Sequence, residues 1–200
     1  MDTKKNVIKI AVLGDTMVGK TAICNSALDL EFTKDMLQTI GIDRLEISMT
    51  LKNGNDIKVI LWDTAGAERY RSTSLKILNF SYSIILVFDL TNRKSFENLD
   101  TWIKDIKKYS HISSLILFGN KVDVDKNRWQ ITPEEAKNYA EKMKIPYFET
   151  SAKTGQGIKE GISYLVNETY EIMEKNPNGI KIEEKINDED KAKCIGKNKK

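Results

Sequence analysis

Eight residues near the start of the chain, Gly14-Asp15-Thr16-Met17-Val18-Gly19-Lys20-Thr21, constrain its fold more than any others. They follow an apolar run over residues 7–13 and open a helical pattern. The spacing G-x-x-x-x-G-K-[ST] therefore falls in the strand–loop–helix setting that gives it physical meaning. There the loop amides and the positive end of the helix face a polyphosphate, Lys20 supplies a point charge to the β and γ groups, and the Thr21 hydroxyl ligates Mg²⁺.

The rest of the chain extends that unit. Short runs rich in aliphatic and aromatic residues at 57–62, 84–88, 115–118 and 147–148 alternate with helical patterns, as in a mostly parallel sheet covered on both faces. Phe96, Leu99, Ile103 and Ile106 form one apolar stripe, and Ile158, Ile162, Leu165, Val166, Thr169 and Met173 another. Both stripes read as core. Lys52-Asn53-Gly54-Asn55 suits a hairpin between residues 45–51 and 57–62, which brings one antiparallel strand into the sheet. Thr132-Pro133-Glu134-Glu135 starts a helix with a Thr cap, and Glu135 is expected to return a bond to it. The expected fold is α/β, a three-layer domain with a six-stranded, mostly parallel sheet, one antiparallel strand and about five helices.

The last helix is expected to stop near Asn176-Pro177-Asn178-Gly179. Residues 178–200 hold seven Lys, five acidic residues and no aromatics, too little apolar surface to offset ordering entropy. The division is a 1–6 extension, a 7–177 domain and a flexible 178–200 Lys-rich tail.

Composition excludes several classes. The longest apolar run, residues 84–88, is far short of the roughly 20 residues a membrane-spanning helix needs. Met1-Asp2-Thr3-Lys4-Lys5 lacks a signal-peptide apolar region, and position 2 is not Gly, so a cytoplasmic protein without myristoylation is expected. Cys24 and Cys194 stand too far apart, and too far from other ligands, for a disulfide framework or zinc site. Lys191, Lys193, Lys197, Lys199 and Lys200 carry more than the whole net charge of +3, leaving a nearly neutral body with 27 basic and 29 acidic residues. No nucleic-acid face is expected on it; the tail can meet an anionic lipid surface.

The triphosphate loop does not choose a base. Asn120-Lys121-Val122-Asp123 follows the 115–118 run, which puts a carboxylate at a strand end where α/β sheets bind ligands. Asp123 can accept from the ring N–H and the exocyclic amine of guanine; adenine offers no such pair, and a buried carboxylate left unpaired is costly, so Asp123 is expected to discriminate as a buried group. The expected ligand is GTP or GDP.

With these residues in view, the chain resembles a small GTPase of the Ras superfamily, most like the Rab branch, over residues 7–175. The matching motifs add Thr39-Ile40-Gly41-Ile42-Asp43, Trp62-Asp63-Thr64-Ala65-Gly66, Asp89-Leu90-Thr91-Asn92 and Glu149-Thr150-Ser151-Ala152-Lys153. The resemblance implies a P-loop G domain whose nucleotide contacts run from Gly14, Asp15, Thr16, Met17 and Val18 through Gly19, Lys20 and Thr21 to Ala22. It implies that Asp63 holds Mg²⁺ through water, that Thr39 completes the Mg²⁺ shell in the triphosphate state, and that the Gly66 amide senses the γ-phosphate. Phe32 would lie against guanine, with Ser151, Ala152 and Lys153 closing over it. Loss of the γ-phosphate would release Thr39 and Gly66, giving a switch read by partners. The implied partners are effectors, an exchange factor and an activating protein, and the implied setting is vesicle traffic on the cytosolic face of an endomembrane.

Several positions depart from the family pattern. Ala67 stands where Gln orients the attacking water, so slow hydrolysis is expected, or a GTP-held interaction module with no turnover. Thr16 and Met17 add bulk to the loop, and Met36 replaces an aromatic that covers the phosphates. Of the three aromatics of a Rab effector surface only Trp62 remains, with Arg44 and Ile77 at the other positions. Cys194 matches no C-a-a-X ending, so an unmodified thiol is expected. His111, Trp102 and Trp129 read as an ordinary surface residue and two packing residues. A monomer is expected.

Overall fold

The structure is a computed structural model describing residues 7–33, 39, 41–66, 71–109 and 112–176. Met36, Ala67, His111, Cys194, the 1–6 extension and the Lys-rich tail lie outside those residues. In chain order the elements are β1 (Val7–Gly14), α1 (Lys20–Ala27), β2 (Ile42–Thr50), β3 (Asp56–Thr64), α2 (Arg71–Lys76) running into a 3₁₀ turn (Ile77–Phe80), β4 (Ser83–Asp89), α3 (Arg93–Glu97), α4 (Leu99–Ile106), β5 (Ser114–Asn120), a 3₁₀ turn (Lys126–Arg128), α5 (Pro133–Met143), β6 (Tyr147–Thr150) and α6 (Ile158–Lys175). The five expected helices are α1, α2, the α3–α4 arm interrupted at Asn98, α5 and α6.

Period-two alternation along the strands sorts their apolar side chains between two cores. Ile8, Ile10 and Val12 of β1, Ile85 and Val87 of β4, and Ile116 and Phe118 of β5 pack beneath α1 and α6. The intervening Ala11, Leu13, Ile84, Leu86, Phe88 and Leu117 pack against the helices of the opposite face. Every residue of β4 is buried, which explains its continuous apolar reading. Each such aliphatic side chain contributes about 1.5–3 kcal/mol by leaving water.

The strand order is β2-β3-β1-β4-β5-β6. Only β2 is antiparallel, paired to β3 from Ile42–Thr64 to Thr50–Asp56. The chain places β3 on one side of β1 and β4 on the other, so the order reverses at β1 and its carboxyl end opens a crevice.

The Thr132 hydroxyl caps α5 by accepting from the Glu135 amide at 3.1 Å. The expected return bond is not made, because the Glu135 carboxylate reaches Arg93 instead at 2.6 Å. Ile77, aligned with an effector-surface aromatic, is 1% exposed and belongs to the core. Among the described residues no helix is long and apolar enough to cross a membrane.

Helix α5 ends on Lys144, a left-handed residue (φ 57°, ψ 43°) with an exposed side chain. Lys144→Gly should remove that strain and stabilise the domain by about 0.5–1 kcal/mol, a Tm gain of roughly 1–4 °C by calorimetry.

Candidate functional site

At the end of β1 the chain turns at Gly14 with φ 140°, and a Cβ there would run into the carbonyl of Val87 on β4. Only glycine fits this approach. Val18 is fully buried and pins the loop from below. Gly19, at φ 99°, caps α1 without a side-chain hydrogen bond, and the first turn holds no acidic residue. Among the described residues, no side-chain acceptor caps the leading amides of α1 at its positive end. Ala22 is buried in the core below α1, so only its backbone is available to the loop. Thr16 is exposed, and Met17, left-handed at φ 64°, is 75% exposed.

Lys20 is 5% exposed and donates from Nζ to the carbonyls of Gly14 at 3.0 Å and Asp15 at 2.7 Å. Asp63 at the end of β3 is fully buried. Its Oδ2 accepts from Thr21 at 2.6 Å and from Thr39 at 3.3 Å, while Oδ1 has no hydrogen-bond partner among the described residues. The two threonine hydroxyls are 2.8 Å apart. Three hard oxygen groups therefore converge beside one orphaned carboxylate oxygen, a donor set that fits Mg²⁺. Gly66 sits close above Lys20, where a Cβ would collide with the Asp15 carbonyl and the Lys20 ammonium.

Burial works against both charges here. It pushes the Lys20 ammonium down to about 8, against the opposing pull of Asp63 and Asp15. It also raises the Asp63 carboxyl above the usual carboxylate range despite the Thr21 hydrogen bond and the nearby Lys20.

The second half of the site is tied to the first by Asn120, 1% exposed at the end of β5. Its Nδ2 donates to the Val18 carbonyl at 2.8 Å, and its Oδ1 accepts from the Ala152 amide at 3.1 Å. Lys121 donates to the Met17 carbonyl at 3.0 Å and pairs with Asp89 at 2.6 Å. Asp123 accepts from the buried Ser151 hydroxyl at 2.6 Å, and Ser151 in turn accepts from the Thr154 amide at 3.1 Å. Lys153 is exposed beside the buried Ala152.

Asp123 itself is exposed. Choosing a purine by stranding a buried carboxylate therefore requires the base itself to cover Asp123. Phe32 is 37% exposed and belongs to neither core. Trp102 is buried as expected, but its indole also bonds to Asp15 at 2.8 Å. Asn98 and Trp102 were not legible as site residues, nor was the pairing of the motif residue Asp89 with Lys121, since the partners come from distant segments.

Lys20 makes its own contribution to the pH dependence of the nucleotide-free protein. The unfolded chain keeps the lysine proton up to about the ordinary 10.5, whereas the fold releases it near 8. Between these values this side chain holds its proton more firmly in the unfolded state, so its contribution to stability rises with pH, against that of the Cys24 thiol, which burial raises well above its ordinary 9.0. Denaturant unfolding of nucleotide- and magnesium-free protein at pH 7.5 and 9.5 should show the wild type gaining about 1–2 kcal/mol relative to Lys20→Met.

Residues 9–171 match the sequence profile of the Ras family. The chain is 37% identical over 180 residues to Ras-related protein Rab-27A of Rattus norvegicus, spanning 84% of this chain and 81% of the relative. It is 34% identical over 174 residues to Ras-related protein Rab-2B of Dictyostelium discoideum, spanning 86% and 85%. Over 200 residues it is 33% identical to Ras-related protein RABE1e of Arabidopsis thaliana, spanning 97% and 90%. A loop with the G-x-x-x-x-G-K-[ST] spacing, a sheet that reverses at β1 and this likeness along the domain agree: the chain belongs to the Ras family and is a Rab-like small GTPase.

Proposed function

We propose that the chain is a GTP/GDP switch of membrane traffic that hydrolyses GTP slowly. The observation that carries this reading is the convergence of three groups at one end of the sheet. These are the Gly14-to-Thr21 loop with its buried ammonium, the Thr21–Thr39–Asp63 oxygen set, and the Ser151-oriented carboxylate of Asp123. Family members generally bind guanine nucleotide with Mg²⁺.

In this reading the amides from Gly14 to Ala22 and the Lys20 ammonium hold the phosphates, supplying counter-charge where burial makes it strongest. Thr21 and Thr39 would hold Mg²⁺, with Asp63 acting through water, and a bound ion would supply positive charge to the phosphates. Asp123 accepts both guanine donors, Asn120 and Lys121 fix its loop to the phosphate loop, Phe32 lies against the base, and Ser151, Ala152 and Lys153 close over it. The Gly66 amide and Thr39 report the γ-phosphate to effectors.

Ala67 offers no polar group to orient water, leaving positioning by Lys20, Thr39 and Gly66 alone. It favours a second reading, a GTP-held interaction module without turnover. The remaining proposals are an exchange factor and an activating protein as partners, a monomeric cytoplasmic protein with no nucleic-acid role, and peripheral contact with an anionic membrane through the Lys-rich tail.

Calorimetry with GDP and Mg²⁺ tests the nucleotide reading. Wild type should bind, and Asp123→Ala should lose about 100-fold or more in affinity, the loss of two hydrogen bonds to a charged acceptor. Excess ATP displacing GDP would remove the guanine assignment. Single-turnover assays with GTP should give slow hydrolysis that Ala67→Gln accelerates at least about tenfold; no detectable turnover in wild type would favour the interaction module.

A further inference from the structure

The second residue of the phosphate loop carries a negative charge beside a site built for anions. Its two carboxylate oxygens are both occupied: Asp15 Oδ2 accepts from Asn98 Nδ2 at 2.6 Å and Oδ1 from Trp102 Nε1 at 2.8 Å. Asn98 is the residue between α3 and α4, and Trp102 follows one helical turn later on the same face. Trp102 is 2% exposed, so that donor is fixed by the core. The main chain of Asp15 faces the other way: its carbonyl accepts from Lys20 at 2.7 Å and lies directly under Gly66.

We propose that Asp15 is a positioning residue through which α4 holds the phosphate end of the site. The carboxylate clamps the loop to Asn98 and Trp102, and that clamp sets the place of the Asp15 carbonyl. The carbonyl in turn sets where the Lys20 ammonium rests and how closely Gly66 approaches. The proposal rests on the nucleotide reading above.

Electrostatics and positioning predict opposite signs, which makes the idea testable. Asp15→Asn removes a negative charge near the phosphates, and on charge alone it should slow nucleotide release. It also sets an amide NH₂ against one of two N–H donors, so on positioning it should speed release. Trp102→Phe removes the indole donor and keeps an aromatic ring in the core.

The measurement is release of a fluorescent GDP from the Mg²⁺ complex, with phosphorus NMR of bound GDP. Both variants should release GDP about tenfold faster, the loss of one hydrogen bond to a charged group. The β-phosphate resonance should shift in both variants while far-ultraviolet circular dichroism stays unchanged, a combination that general loosening of the fold would not give. The double variant should be no faster than the faster single one. Release from Asp15→Asn at or below the wild-type rate, or an unmoved β-phosphate resonance in either variant, would overturn the proposal. Wild type binding no GDP in the same assay would instead remove the nucleotide reading beneath it.

Discussion

A buried ammonium organises this molecule. Lys20 enters the interior at the carboxyl end of β1, held by two main-chain carbonyls and close enough to Asp63 to feel its charge. Carbonyls can accept its protons but cannot neutralise it, and the carboxyl of Asp63 is itself driven toward its neutral form by burial. The bare fold thus maintains a cation and an anion whose full ionisation both environments oppose. A polyanion over Lys20 and a divalent cation beside Asp63 would compensate both, and by linkage would stabilise the fold wherever they bind.

The sheet makes that arrangement possible. Because β3 and β4 flank β1 on opposite sides, the loop after Gly14 emerges between two buried parallel strands, and Asp63 of β3 lies in register with Val12 of β1. Asn120 then adds the third strand end, bonding to the phosphate loop and the Ala152 amide through one buried side chain. Lys121 makes a second link, reaching the buried Asp89, whose carboxylate also accepts from the amide and hydroxyl of Thr91. Each loop is held by side chains from other loops, so their positions are shared.

Much of this was legible from local pattern. The phosphate loop, the strand runs and the antiparallel hairpin depend on residues close in sequence, where glycine geometry, apolar period and turn chemistry act directly. Less legible were features decided by distant partners. Glu135 satisfied the spacing of a capping box, yet Arg93, 42 positions away, holds its carboxylate. Ile77 aligned with a surface aromatic, but the 3₁₀ turn after α2 rotates it into the core. Asp123, expected to discriminate as a buried group, is exposed, with the Ser151 hydroxyl bonded to its carboxylate.

The aspartate at position 15 shows why spacing alone could not assign every role. In a G-x-x-x-x-G-K-[ST] loop the second position is unconstrained by the motif, since the phosphates are met there by backbone. The structure gives that position a side-chain task unrelated to charge complementarity: both oxygens face α4, away from the carbonyl that Lys20 uses. A carboxylate suits it because two donors from one helix face need two acceptors on a short side chain, which alanine and serine lack and asparagine supplies only in half. Beside a bound phosphate its negative charge would be unfavourable, and the two hydrogen bonds that already stabilise the anion where it lies would limit that effect.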